Sequence, residues 1–200
     1  MTRSRSAHRT LLKVSTLLAG LVFFTACGAA LVTNPDAKNY VPTPGTTVTV
    51  PQRIEVPGGQ TRIFFQRGEI VKKLSDIDQY KANCNFEINT LAETPRYIEP
   101  GTYTVTRTTR QEKEVAEFKP LQYASLALGG LTARGGEGAP MYFEEVRMTL
   151  RSDKPSDIRE LACRGVLTDP GWVLPPTLAE IRQALGKHAT IKVPEEKVNR

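Results

Sequence analysis

Apolar and polar residues alternate along many short stretches of this chain, which is the pattern of half-buried β-strands. In "CNFEINTL", for example, Phe86 and Ile88 share one face and Glu87 and Asn89 the other. The hydrophobic pattern predicts strands over 46–50, 61–66, 69–74, 84–91, 103–109, 121–128, 141–152 and 188–193. Gly68 supplies the positive φ that a tight turn requires, so the second and third of these strands are expected to form a hairpin.

Other segments between these strands are less regular. "RIEV" (53–56) is expected to continue the first strand beyond Pro51. For the segment 157–167, around Cys163, the sequence predicts a turn followed by a strand. The stretch "GGLTARGGEGAP" (129–140) is too rich in glycine for regular structure and predicts a mobile hairpin loop.

One segment has the period of an amphipathic helix. Leu178, Ile181 and Leu185 form an apolar stripe. Thr177 and Glu180 fit a capping box before this stripe, and a glycine follows it as a stop signal. Many short strands and one late helix predict a mainly β fold, an antiparallel sandwich or partly open barrel with one short C-terminal helix.

The N-terminus follows a different pattern. Arg3, Arg5, Arg9 and Lys13 precede an uncharged apolar run, "VSTLLAGLVFFTA" (14–26). A positive leader, a short apolar core and a small-residue exit are typical of a secretory signal peptide. The run is shorter than the roughly 20 apolar residues of a membrane-spanning helix. The sequence therefore predicts export.

The exit of this leader, "FTAC", resembles the lipobox of bacterial lipoprotein precursors, in which a cysteine directly follows the cleavage point. The resemblance covers residues 1–28: Cys27 would be the lipidated residue and Ala26 the small residue before the cut, while Phe24 departs from the usual Leu. It implies that the acylated cysteine, which carries palmitate-type chains, holds the protein on a lipid bilayer. Gly28 implies the periplasmic face of the outer membrane. The alternative is ordinary signal cleavage, which would leave a discarded thiol.

Cleavage at this point changes the charge of the chain. The full sequence has 27 basic and 21 acidic residues and a formal net charge of +6. Four of the basic residues lie in the leader, so 23 basic residues face 21 acidic ones in the mature chain, a net charge of +2. The two signs are interspersed, as in "RTTRQEKEVAEF" (107–118). Because nucleic-acid binding requires a clustered basic footprint, we expect no nucleic-acid partner.

Cys84 and Cys163 remain after Cys27 is set aside. Exported proteins meet an oxidising compartment, so these two residues are predicted to form a disulfide. The chain-entropy model gives such a long loop about 4 kcal/mol of stabilisation. Two alternatives stay open: two buried unpaired thiols, or a reactive thiol paired with His188. The sequence contains no "CxxC" motif.

Patterns for catalysis and cofactor binding are missing, and the sequence predicts no catalytic residue, no metal site and no cofactor. A hydrolytic triad has little support, because the mature chain has one histidine and no "GxSxG" motif. Asp76 and Asp78 lack the glycine and glutamate of a calcium loop, which favours a solvated turn. Trp172, in "DPGWVLPP", is either a binding anchor or the residue that plugs its own loop into the core.

The sequence predicts four segments: a lipoprotein signal peptide (1–26), a lipidated N-terminus with a Pro-rich tether and first extended segment (27–60), a β-rich globular domain (61–193) and a disordered tail (194–200). The body is loosely similar to uncharacterised small lipoproteins of Gram-negative bacteria around "RIFFQRGEIV", "CNFEI" and "LAEIRQALG". We expect a lipid-anchored envelope protein with a binding or structural domain, and another envelope protein as a candidate partner. Alternatives are an envelope hydrolase with a carboxylate pair from separate strands, or a carrier of an apolar ligand.

Overall fold

An eight-stranded antiparallel sheet, curled into a half barrel, forms most of the structure, with a single short helix near the C-terminus. The structure is a computed structural model that describes residues 34–115 and 140–194. It confirms the predicted mainly β class, and of the two predicted architectures it matches the partly open barrel. The signal peptide, Cys27, the strand predicted at 121–128, the loop at 129–139 and the tail beyond 194 lie outside the described residues.

The described strands and the helix have the following bounds: β1 (Thr47–Val50), β2 (Ile54–Val56), β3 (Arg62–Gln66), β4 (Glu69–Val71), β5 (Asn83–Ile88), β6 (Arg96–Ile98), β7 (Gly101–Val115), β8 (Met141–Arg151), β9 (Ile158–Arg164), α1 (Leu178–Leu185) and β10 (Thr190–Lys192). The order across the large sheet is β10-β1-β7-β8-β9-β5-β3-β4. All neighbouring strands in it are antiparallel. β2 and β6 form a separate two-stranded sheet.

The N-terminal part of the body departs from the sequence prediction. β1 lies between β7 and β10, although it precedes the predicted domain start at residue 61. Tyr40, within the predicted tether, is only 3% exposed and belongs to the core. "RIEV" forms a strand beyond Pro51, but as a separate element: β2 pairs with β6, which directly precedes β7, the partner of β1.

Two glycines bring the β3–β4 hairpin and α1 together. Arg67 and Gly68 both have positive φ, +55° and +79°, which is the geometry of the two-residue type I′ turn. A Cβ on Gly186 would lie 2.4 Å from the Cα of Gly68, so the approach leaves no room for a side chain there. The Gly68 N–H donates to the carbonyl of Ala184 at 3.0 Å. The predicted hairpin is confirmed, and the C-terminal end of α1 is fixed against it.

The predicted capping box begins α1. The Thr177 hydroxyl accepts a hydrogen bond from the Glu180 N–H at 3.2 Å, and the Glu180 carboxylate accepts one from the Thr177 N–H at 2.8 Å. The apolar stripe of the helix then joins the core on one face of the sheet. The core includes Val48, Ile63, Phe65, Phe86, Tyr103, Val105, Val146, Met148, Leu150, Leu161, Leu178, Ile181 and Leu185.

A β-bulge changes the face of one predicted residue. The alternation of 103–109 places Arg107 on the same face as Tyr103 and Val105, and this is wrong. The register of β7 against β8 shifts between Val105 and Arg107, and Arg107 is paired with exposed Thr149. A bulge inserts one extra residue, so the residues that follow it exchange faces. β7 therefore presents polar side chains to the outer face beyond this point.

Candidate functional site

The two cysteines of the body lie opposite each other on adjacent strands. Cys84 in β5 and Cys163 in β9 are paired in register, and their sulfurs are 2.11 Å apart. Both are buried in the core. The structure thus shows the predicted disulfide, which leaves neither sulfur available as a nucleophilic or redox-active thiol while the bond is intact.

Charged side chains cover the opposite face of the same strands. Glu87 lies between Phe86 and Ile88, both core residues, and neighbouring residues of a strand point to opposite faces. Glu87, Glu145 and Glu160 are all buried. Five cations lie within ion-pair distance of these three carboxylates. We call the eight residues the charged layer: Arg62, Glu87, Lys113, Glu145, Arg147, Arg159, Glu160 and Arg164.

Glu145 is the most deeply buried carboxylate of the charged layer, with 2% of its side chain exposed. It accepts hydrogen bonds from Lys113 Nζ at 2.7 Å and from Arg164 Nε at 2.8 Å, and Arg147 Nη1 lies 3.4 Å away. Burial acts to raise the pKa of Glu145, but the bonds from Lys113 and Arg164 outweigh it, so the pKa is lowered. The carboxylate is therefore ionised at neutral pH.

Glu87 is held in the same way from three sides. Arg62 Nε lies 3.1 Å from its Oε2, Arg147 Nη2 lies 3.4 Å from the same oxygen, and Arg159 contacts Oε1. Burial acts to raise the pKa of Glu87. The hydrogen bond from Arg62 and the charges of Arg62 and Arg159 outweigh burial, so the pKa is lowered. Arg147 also pairs with Glu160, so one guanidinium joins all three carboxylates.

This arrangement does not suit acid–base catalysis. A general acid at neutral pH needs a carboxyl whose pKa is raised, whereas the pKa values of Glu87 and Glu145 are lowered. The cavity between them has a volume of about 10 Å³, which is the space of one water molecule. The charged layer is therefore a set of satisfied ion pairs with no space for a substrate.

A larger cavity adjoins the charged layer and shares Arg62 and Arg164 with it. Its volume is about 670 Å³, within the range of about 300–1,000 Å³ that is usual for small-ligand sites. Lys72 and Lys73, which follow β4, supply two more cations, and no described residue that lines the cavity is acidic. We call this cavity the basic groove. Its lining consists of Gln60, Thr61, Arg62, Phe64, Lys72, Lys73, Leu74 and Arg164.

The charged layer positions the two arginines of the basic groove. Arg164 donates its Nε–H to Glu145, and this is its only side-chain hydrogen bond to the described residues. Its guanidinium also lies 5.2 Å from the centre of the Phe143 ring. Arg62 is anchored by Nε and Nη2 on Glu87. In both residues a carboxylate behind the guanidinium fixes its orientation and leaves Nη donors for a further oxygen ligand.

The sequence-predicted site residues lie elsewhere. Trp172 is 77% exposed, so it does not plug its loop into the core, and it does not line the basic groove. Asp78 accepts the Tyr80 N–H at 3.0 Å and pairs with Arg67 at 2.8 Å. It stabilises a turn in this way. Among residues 34–115 and 140–194, no three His, Cys, Asp or Glu side chains are grouped to hold a metal ion.

Sequence reasoning missed the charged layer and the basic groove. The signal was present as single glutamates within apolar strands, in "NFEI" and "FEEV". A charge in the middle of a buried strand requires a partner, because an unpaired ion there is very costly. The cationic partners come from four strands, β3, β7, β8 and β9, so only the strand order identifies them.

In the part of the chain that the structure describes, no helix combines the length and the apolar character needed to cross a membrane. Comparison with family models, with curated proteins and with solved structures found no match to this chain. The function is therefore inferred from the residues of this chain and their arrangement.

Proposed function

We propose that this chain is a lipoprotein of the bacterial envelope, anchored through acylated Cys27, whose β-rich domain is a binding module and not a catalyst. The leader at 1–26 and the lipobox-like "FTAC" support export and lipidation. The buried disulfide is consistent with an oxidising compartment. As Gly28 follows the cysteine, we place the protein at the periplasmic face of the outer membrane.

The observation that carries the binding role is the basic groove. It offers an open cavity of about 670 Å³ whose arginines are already oriented by buried carboxylates. Such preorganisation lowers the cost of ordering side chains when a ligand binds. Four cations in the lining favour an acidic ligand or an acidic segment of another envelope protein.

The geometry gives the two alternatives less support. A hydrolase with a carboxylate pair would draw on Glu87 and Glu145, whose lowered pKa values oppose a general-acid role. A carrier of a neutral apolar molecule requires a mostly apolar lining. The basic groove instead contains Arg62, Lys72, Lys73 and Arg164.

The anchor is tested by labelling a Gram-negative host with radioactive palmitate while it expresses the full-length chain. We expect label on the wild-type protein in the outer-membrane fraction and none on Cys27→Ser. The double variant Cys84→Ser/Cys163→Ser is the matched control, since it removes two cysteines and keeps Cys27. An unlabelled wild-type protein, or label that persists in Cys27→Ser, would contradict the proposal.

A further inference from the structure

We propose that the basic groove binds a phosphate monoester carried on a small apolar body. This inference deepens the proposed binding role by naming the ligand class, and it does not depend on the lipid anchor. It follows from the charge, the donor geometry and the apolar surface of the groove.

The charge of the groove favours a dianion. Glu87 and Glu145 lie against Arg62 and Arg164 and balance much of their charge. Lys72 and Lys73 are exposed and form no ion pair with any described residue. The groove therefore keeps an excess of at least two positive charges. A phosphate monoester carries about −1.5 to −2 at pH 7, which matches this excess better than a single carboxylate.

The donors match the oxygens of such a group. A guanidinium presents paired N–H groups in a plane, and this fork suits the oxygens of phosphate. Arg164 donates its Nε–H to Glu145, and neither of its Nη groups donates a hydrogen bond to a described residue, so these donors are available to a ligand. Lysine ammonium groups at the rim act as point charges that attract the ligand and complete its hydrogen bonds.

The groove also contains apolar surface for the rest of the ligand. The Phe64 side chain forms part of the lining. Leu74, in the short 3-10 turn after Lys73, is 61% exposed at the same cavity. An exposed leucine beside cations is explained when an apolar group of a ligand covers it, because burying its surface is favourable.

Calorimetric titration of the full-length chain in neutral detergent tests this assignment, with hexyl phosphate as the probe. Hexanol, hexanoate and inorganic phosphate each lack one feature of the probe. We expect hexyl phosphate to bind at least about tenfold more tightly than any of the three, the equivalent of one charge-assisted contact. Equal binding of hexanoate would overturn the phosphate assignment, and equal binding of inorganic phosphate would overturn the apolar part.

Two double variants locate the site. Lys72→Met/Lys73→Met removes both uncompensated charges, and we expect it to weaken the binding of hexyl phosphate about tenfold or more. Lys187→Met/Lys192→Met is the matched control, since it removes two exposed lysines that do not line the groove. If both pairs weaken binding equally, the basic groove is not the site.

A third variant tests the contribution of the planar guanidinium group of Arg164. Arg164→Lys keeps the charge and loses the planar donors, so affinity is expected to fall about tenfold. Thermal unfolding of the same sample shows whether the variant remains folded, and an unchanged affinity in a folded variant would contradict a role of the guanidinium.

A vesicle assay separates two sources of the ligand. Neutral phosphatidylcholine vesicles, with and without phosphatidic acid, present the same phosphate monoester as a lipid headgroup. If the protein binds hexyl phosphate and also binds vesicles with phosphatidic acid more tightly than neutral vesicles, the ligand is a lipid headgroup. If it binds hexyl phosphate but does not distinguish the two kinds of vesicle, the ligand is a soluble ester. Failure with both probes, in protein that still carries palmitate on Cys27, would overturn this inference and leave the anchored lipoprotein in place.

Discussion

The two faces of the central strands are built from opposite chemistry at neighbouring positions. On the inner face, β5 and β9 are joined by Cys84 and Cys163 among apolar side chains. Three residue pairs further along, on the outer face, Glu87 and Glu160 are paired in register and surrounded by arginines. Two carboxylates opposite each other repel unless cations separate them. The comparison shows that the inner face needs only burial, while the outer face needs a specific set of partners.

This difference has a functional meaning. Replacing buried ion pairs with apolar residues of similar volume is often neutral or stabilising. The charged layer is therefore not required for a stable sheet, and stability alone does not explain it. Its second effect is to orient Arg62 and Arg164 toward the basic groove. We infer that the outer face is built for recognition and the inner face for stability.

The largest effect on stability is expected when the disulfide of the inner face is removed. The disulfide closes a loop between residues that are 79 apart in sequence. We expect Cys84→Ala/Cys163→Ala to lower the free energy of unfolding by about 4 kcal/mol, mainly by relaxing the unfolded chain. Urea denaturation of the full chain in detergent measures this. Because a loss of about 4 kcal/mol is large against a typical stability of 5–15 kcal/mol, a loss below about 1 kcal/mol would show that the bond contributes little.

An intermediate effect is expected on the outer face. Glu145→Gln removes the carboxylate that holds Lys113, Arg147 and Arg164. These cations remain partly exposed and can regain water, so we expect a loss of about 2–3 kcal/mol, below the largest costs of breaking buried pairs. Urea denaturation measures this as well.

The same variant separates recognition from stability. If the charged layer positions Arg164, Glu145→Gln also weakens the binding of hexyl phosphate, because the guanidinium loses its fixed orientation. Glu55→Gln, which removes an exposed carboxylate from β2, is the control for charge. A variant that loses stability with unchanged affinity would show that the layer is purely structural.

The fold was largely predictable because its strongest signals are local. The capping box at Thr177, the hairpin turn at Gly68 and the alternation in "NFEI" each act within a few residues. The bulge after Val105 was not predictable, since the pairing of β7 with β8 decides it. The basic groove depends on the order β9-β5-β3-β4, which brings Arg164 near residues that follow β4. Such long-range pairing leaves no pattern in a single sequence.

The smallest effect on stability is expected when the pH is lowered. This change acts on the carboxylates of the outer face and leaves the disulfide of the inner face intact. The inner disulfide does not titrate, whereas the pKa values of Glu87 and Glu145 lie below the ordinary value of 4.5. A group with a lowered folded pKa contributes stability that is fully present above its unfolded pKa and is lost as the pH falls through the folded one.

We therefore expect stability to be nearly constant from pH 7 to about 5 and to fall below about pH 4.5 as Glu87 and Glu145 are protonated. Urea denaturation at a series of pH values measures this loss. Glu145→Gln should flatten the fall, since one of the two carboxylates with a lowered pKa is gone, and Glu55→Gln is the control for the loss of an exposed carboxylate. If Glu145→Gln leaves the acid profile as steep as in the wild-type protein, the outer face does not owe its stability to ionised glutamates, and the contrast between the two faces fails.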